Sequence, residues 1–202
     1  HELRSPLARL KMAVSLWDED TPPGQRERLR EEIHTNIGEL DALVEEVLLA
    51  SRLDASREAL AQEPVDLLAL AAEEAARVQA SATGTPASAR GDERLLRRAV
   101  RNLLENGRRY GGGELQVEVQ AAGAQVELRV CDRGPGVPEA FRDRIFEAFF
   151  RLPGHAEREG GVGLGLSLVR QIAQRHGGSV RCEGRDGGGS CFVLSLPRAA
   201  AA

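Results

Sequence analysis

The chain has 202 residues, 42% of them hydrophobic, enough for one large domain or two small ones with a packed core. Its 27 basic and 31 acidic residues leave a formal net charge of −4, which excludes a general field drawing it onto nucleic acid or an anionic membrane; an anionic ligand needs a local site. No stretch approaches the ~20 apolar residues of a membrane span, and the three cysteines, with neither zinc-ligand spacing nor scaffold density, read as buried inert thiols of a reducing cytoplasm.

Leu3, Leu7, Leu10, Val14 and Trp17 alternate four-residue and three-residue steps, the pattern of a helix that buries one stripe. The segment "DEDTPPGQ" breaks it, and Ile33, Ile37, Leu40, Val44 and Val47 resume the spacing on a second helix running to about Ser56. Residues 1–58 are therefore expected to form an antiparallel helical hairpin. Two helices cannot bury both stripes alone, so a second copy completing a four-helix bundle is expected; packing on the rest of its own chain is the alternative.

After "LAQEP" the pattern changes, and residues 59–202 read as a second domain. Helical stretches at 67–79, 92–108 and 165–176 mix with alternating strands "ELQVEVQ", "QVELRVCD", "SVRCEG" and "SCFVLSLP". This is the pattern of an α+β sandwich, an antiparallel sheet with helices on one face.

Three segments of this half carry chemistry. In "RNLLENGRRYG", Asn102 and Asn106 lie four apart on one helix face with Arg109 three further on, a grouping that suits Mg²⁺ and phosphate but equally a solvated polar face. In "VCDRGPGVP", Asp132 ends a strand and Gly134 and Gly136 bracket a proline; a partly buried Asp can accept from an exocyclic amine such as that of adenine, although alone this is any tight turn. In "GGVGLGLSLVRQIAQRHGG", glycines lead straight into an apolar-periodic helix, a ready phosphate site. The polar stretch "RLPGHAEREGG" before it argues against a Rossmann loop, which needs a strand there.

Taken in order, these segments resemble the transmitter core of bacterial sensor histidine kinases: "HELRSPL" is similar to the H-box, "NLLENGRRYG" to the N-box, "DRGPGVP" to the G1 box, "IFEAFFR" to the F-box and "GGVGLGLSLV" to the G2 box. The resemblance implies an ATP-binding domain of the histidine kinase, gyrase and Hsp90 type behind a dimerising phosphoacceptor hairpin. It implies His1 as phosphoacceptor and Glu2 as the acid that orients or takes its proton, with Ser5 where a residue orienting water for phosphatase activity is often found. Bottom-up geometry agrees for His1, which lies roughly 200° around the helix from the stripe residue Leu3. Pro6 is expected to bend the helix beside it.

For the nucleotide, the resemblance implies Asn106 on Mg²⁺ with Asn102 beside it, Arg109 on the phosphates, Tyr110 against adenine and Asp132 on the adenine amine. Gly134 and Gly136 would shape the floor; Gly161, Gly163, Leu164, Gly165 and Leu166 would border the phosphates. Arg151 or Arg158, in or beside a lid over residues 150–160, would reach the transferring phosphate.

The resemblance further implies ATP and Mg²⁺ as cofactors, a homodimer, and a response regulator receiver domain as phosphoryl acceptor. It implies a cytoplasmic portion of an inner-membrane sensor, with contact to membrane only through a sensor part absent from this chain. Nucleic acid is not an expected partner. Departures are Val162 for a usual Ser or Thr, Gly107 for a usual Ala, and a short, weakly β-like stretch at 78–91 where a strand is expected to be missing or the sheet edge degraded. The rival readings are a non-catalytic nucleotide-binding adaptor and an ATPase clamp of related fold. The clamp is disfavoured because related ATPases carry a glutamate base where this chain has Asn102.

Overall fold

The computed structural model describes residues 4–17, 21–55, 61–153 and 163–199. The chain divides into two compact units, His1–Arg52 and Leu53–Ala202. No described helix is long and apolar enough to cross a membrane.

The first unit is built from α1 (Arg4–Ser15) and most of α2 (Pro23–Ala55). α2 starts on Pro23, where a missing N–H costs a helix nothing and the fixed φ favours its first turn. Ala13, Leu29, Asn36 and Leu43 are buried, and Arg9 Nε donates to Asn36 Oδ1 at 2.8 Å, tying the two helices together. Much of the stripe seen in the sequence faces outward instead: Leu7, Val14, Trp17, Ile37, Val44 and Val47 are all more than 40% exposed.

The second unit is an α/β sandwich. Its main sheet has the order β2-β4-β5-β7-β6, from β2 (Ser81–Gly84), β4 (Gln116–Ala122), β5 (Gln125–Cys131), β7 (Ser190–Pro197) and β6 (Ser179–Gly184). A separate ribbon pairs β1 (Glu63–Asp66) with β3 (Ser88–Gly91). Three helices, α3 (Leu67–Arg77), α4 (Glu93–Tyr110) and α5 (Gly165–Arg175), pack on one face. Alternation along the strands sends Val126, Leu128, Val130, Phe192, Leu194 and Leu196 to that face, all buried. Asp66 and Asp92 cap α3 and α4, each Oδ1 accepting two backbone N–H groups.

Two expectations are corrected here. The sheet is mixed rather than wholly antiparallel, because β2 pairs in parallel with β4. The 78–91 stretch is neither empty nor without strands: it supplies β2 and β3, four residues each. Their Ser, Ala, Thr, Arg and Gly residues give no apolar alternation to read, since backbone pairing to neighbours distant in sequence makes them strands.

The cysteines also differ from expectation. Cys131 and Cys191 are bonded in a disulfide between directly opposed positions of β5 and β7, and only Cys182 keeps a thiol. Register decides this, since 60 residues of sequence separate the two partners.

Candidate functional site

α4 carries the amides. Asn102 is 5% exposed and its Nδ2 donates to the carbonyl of Gly165 at 3.2 Å, so the middle of α4 is joined to the first residue of α5. One turn later Asn106 is half-buried, and its side chain makes no hydrogen bond among the described residues. Gly107 is buried because the Leu115 side chain occupies the space a Cβ would need, which accounts for glycine inside a helix where alanine is intrinsically better by about 1 kcal/mol. Arg109 is exposed on the last turn and Tyr110 is half-buried at its end.

β5 delivers Asp132. Its carboxylate is buried, and Oδ1 accepts from Gly134 N at 2.9 Å and from Ser190 N at 3.3 Å. Oδ2 accepts no hydrogen bond among the described residues, so the acid keeps one acceptor for an external donor such as an amine. The Asp132 backbone is held as firmly: its N–H donates to Ser190 O at 2.9 Å, and Arg185 donates to its carbonyl at 3.2 Å.

Gly134 lies so close to the Tyr110 carbonyl that a Cβ would overlap it, and Arg133 N donates to Gly111 O at 3.2 Å. These contacts seat the turn on the end of α4. Gly136 has φ 77°, which suits glycine, and its neighbour Val137 donates to Ser190 Oγ at 2.8 Å.

The third segment is the start of α5, which Asn102 joins to the middle of α4. Leu164 is its N-cap and makes no side-chain capping bond, so the first-turn N–H groups have no side chain of that residue to satisfy them. The positive end of the helix dipole and first-turn N–H groups not capped by that side chain together favour an anion there. Leu164 is buried, whereas Gly165 and Leu166 are half-buried. Gly163, at φ 73°, accepts from Phe149 N at 2.9 Å and closes the loop onto the aromatic segment. There Arg144 stacks 4.6 Å from the Phe150 ring centroid, and Phe141 and Phe150 are 6.0 Å apart. Arg151 is half-buried beside them in sequence.

The structure thus gathers Asn102 with Gly165, and Tyr110 with Gly134 and Asp132. His1, Glu2, Arg158, Gly161 and Val162 lie outside the described residues, as does the side chain of Ser5. Sequence reasoning missed Ser190, which holds both the Asp132 carboxylate and the following turn, and Arg185, which bonds the Asp132 carbonyl and, at 2.7 Å, Gln116 Oε1. A serine opening a strand after "GGG" was the available signal for the first. Arg185 carried none.

Comparison with known proteins fits this geometry. Residues 91–200 match the family described as histidine kinase-, DNA gyrase B- and HSP90-like ATPase, and residues 1–56 match the His kinase A (phospho-acceptor) domain. The chain is 34% identical to Sensor protein RstB of Escherichia coli (strain K12), over 98% of this chain and 47% of that protein. It is 36% identical to Sensor protein CutS of Streptomyces coelicolor, over 98% and 50%. Among solved structures, full-length ShkA in complex with AMPPNP superposes with a TM-score of 0.76 at 31% identity, covering 100% of this chain and 45% of that one. The chain spans about half the length of the curated relatives it matches. Its two matched domains, in this order, make it a member of the histidine kinase, DNA gyrase B and HSP90-like ATPase family, as the transmitter core of a two-component sensor histidine kinase.

Proposed function

We propose that this chain binds ATP in the second unit and transfers the γ-phosphoryl group to His1, from which it passes to an aspartate of a response regulator receiver domain. The observation that carries the reading is Asp132: a buried carboxylate with one oxygen engaged and one open, in a turn seated on the end of α4. Adenine, with an exocyclic amine to donate, matches that open acceptor. The first-turn amides of α5, with Arg109 and either Arg151 or Arg158, would then take the phosphates.

The residues present fit Mg²⁺. Asn106 offers an amide oxygen that is half-buried and not otherwise engaged, the hard donor such an ion accepts when phosphates complete its shell. Bound there, the ion would neutralise charge on the phosphates. Asn102 would act as a positioning residue, since its amide is committed to Gly165.

In the transfer, a neutral imidazole nitrogen of His1 attacks the γ-phosphorus, the bond from phosphorus to the β–γ bridging oxygen breaks, and ADP leaves. Glu2 takes or orients the proton on the other ring nitrogen. The reverse use of the hairpin, with Ser5 orienting water toward a phosphorylated regulator, belongs to the same proposal. So do a homodimer formed through the outward stripe of residues 1–58, the catalytic domain over 59–202, and a cytoplasmic setting below a membrane-anchored sensor.

The gyrase-type clamp is less well supported. Water activation needs a carboxylate base, whereas Asn102 is an amide, already donating to a carbonyl. The test is transfer of γ-labelled phosphate from ATP·Mg²⁺ to the chain. Acid-labile label lost in both His1→Gln and Asn106→Ala is the expected result; label persisting in His1→Gln overturns the acceptor assignment. ATP binding with neither label nor phosphate release would favour an adaptor.

A further inference from the structure

The Cys131–Cys191 disulfide occupies the rung of the β5–β7 ladder next to the Asp132–Ser190 pair, so it lies one residue from the proposed adenine-reading acid on β5 and one residue from that acid's partner Ser190 on β7. The Cα atoms of the two cysteines are 4.1 Å apart. Strand alternation puts both sulfurs on the sheet face away from α3, α4 and α5, with Arg129 and Glu127 on the same face of β5. Cys131 is half-buried and Cys191 buried, so Cys131 is the sulfur a small reagent reaches first. Cys182, paired in register with Phe192, projects from the opposite face; burial pushes its thiol up to about 11, which keeps it protonated and unreactive. The three cysteines therefore form one addressable pair and one bystander.

We propose that Cys131 and Cys191 are a reversible dithiol–disulfide pair that sets the nucleotide affinity of the adjoining site, a proposal that rests on the nucleotide reading above. The oxidant is a low-molecular-weight disulfide such as oxidised glutathione. The Cys131 thiolate attacks one of its sulfurs, forming a mixed disulfide and releasing one glutathione thiolate. The Cys191 thiolate then attacks the Cys131 sulfur, releasing the second. Two protein thiols are oxidised, one glutathione disulfide is reduced to two glutathiones, and the two protons lost by the cysteines end on the released thiols. Where thiols are otherwise held reduced, a disulfide of this kind is characteristically a sensing one.

The coupling to the site is mechanical. In the dithiol form the two sulfurs need full non-bonded separation, so the rung opens. The bond that yields first is the neighbouring one from Ser190 N to Asp132 Oδ1, already 3.3 Å long. Asp132 then holds its open oxygen less firmly, and preorganisation for the adenine amine is lost. The oxidised chain is the tighter binder.

The experiment equilibrates the full chain in glutathione buffers from fully reducing to fully oxidising. The disulfide fraction is read by thiol alkylation and mass spectrometry, and ADP·Mg²⁺ affinity by calorimetry. The expected result is a Cys131–Cys191 link in the oxidising buffers and ADP binding at least about threefold weaker in the reduced form. Cys131→Ser and Cys191→Ser should each abolish the redox response, and Cys182→Ala should retain it. Absence of the link in every buffer, or equal ADP affinity of the linked and reduced chains, overturns the proposal while leaving the nucleotide reading intact. If neither form binds ADP, both fall together.

Discussion

Asp132 shows how one carboxylate serves two ends. Oδ1 is consumed by the backbone of its own turn and of β7, and Oδ2, which accepts no hydrogen bond among the described residues, is the oxygen the proposed function gives to the adenine amine. Asp132→Asn can keep an oxygen toward Gly134 and Ser190, but it then presents an NH₂ where the adenine amine needs an acceptor. Calorimetry with ADP should show affinity falling about tenfold or more, with little change in thermal stability. A variant that unfolds instead would make Asp132 structural. The acid at a strand end and the two glycines of the turn after it were readable from "VCDRGPGVP", because a strand end followed by Gly-Pro-Gly is a local pattern, although the segment alone reads only as a tight turn. Its partner Ser190 was not, since 58 residues separate the two and only the ladder brings them together.

At the scale of elements, α3 and α4 are joined by a buried acid. Glu74, 1% exposed, accepts from Arg101 Nε at 2.9 Å and Arg97 Nη1 at 3.1 Å, with Arg77 at 3.5 Å. Burial pushes its pKa up, but the hydrogen bonds from Arg101 and Arg97 outweigh that and hold it below 4.5. Because Arg97 and Arg101 remain 26% and 36% exposed, Glu74→Ala should cost near the lower end of the roughly 3–5 kcal/mol for breaking a buried pair. Urea unfolding measures this. Arg101 directly precedes Asn102, so the same change should also weaken nucleotide binding.

His176 ties the far end of α5 to the start of α4. Its Nδ1 donates to Ile172 O at 2.7 Å and its Nε2 accepts from Asp92 N at 3.0 Å, so the fold needs the neutral ring. Burial lowers its pKa from 6.5, against the opposing pull of the Ile172 carbonyl and Asp92. Below pH 6.5 the unfolded chain takes up a proton that the folded chain resists. Its contribution is thus complete above that value and declines as pH falls below it; Glu74 adds a second loss below 4.5. Thermal midpoints measured from pH 7.5 to 5 should fall, and His176→Gln should flatten that slope. An unchanged slope would remove His176 from the account.

For the whole molecule, the outward apolar stripe is the chief feature of the first unit. Trp17, Ile37, Val44 and Val47 are 42% to 50% exposed, too much apolar surface along one hairpin to leave in water. The dimer proposed above would cover it. Val44→Glu should therefore shift the chain from dimer to monomer in sedimentation and lower label transfer while leaving ADP affinity within about twofold. A native chain that sediments as a monomer at micromolar concentration would refute the bundle.

Period and punctuation are local properties, and they determined most of what is local here: the two hairpin helices, the three sandwich helices, the four longer strands, and the order of the boxes that carries the family resemblance. Asp92, the cap of α4, and the glycines before α5 belong to the same class, since a cap or a turn is decided within a few residues. Pairing between distant segments is not local, and only the tertiary structure decided it. It set β2 parallel to β4 at an edge with no apolar alternation, Ser190 and Arg185 onto Asp132, Asn102 onto Gly165, and Leu115 into the space beside Gly107. It also joined two cysteines 60 residues apart, because opposed positions on antiparallel strands bring side chains together whatever their separation along the chain.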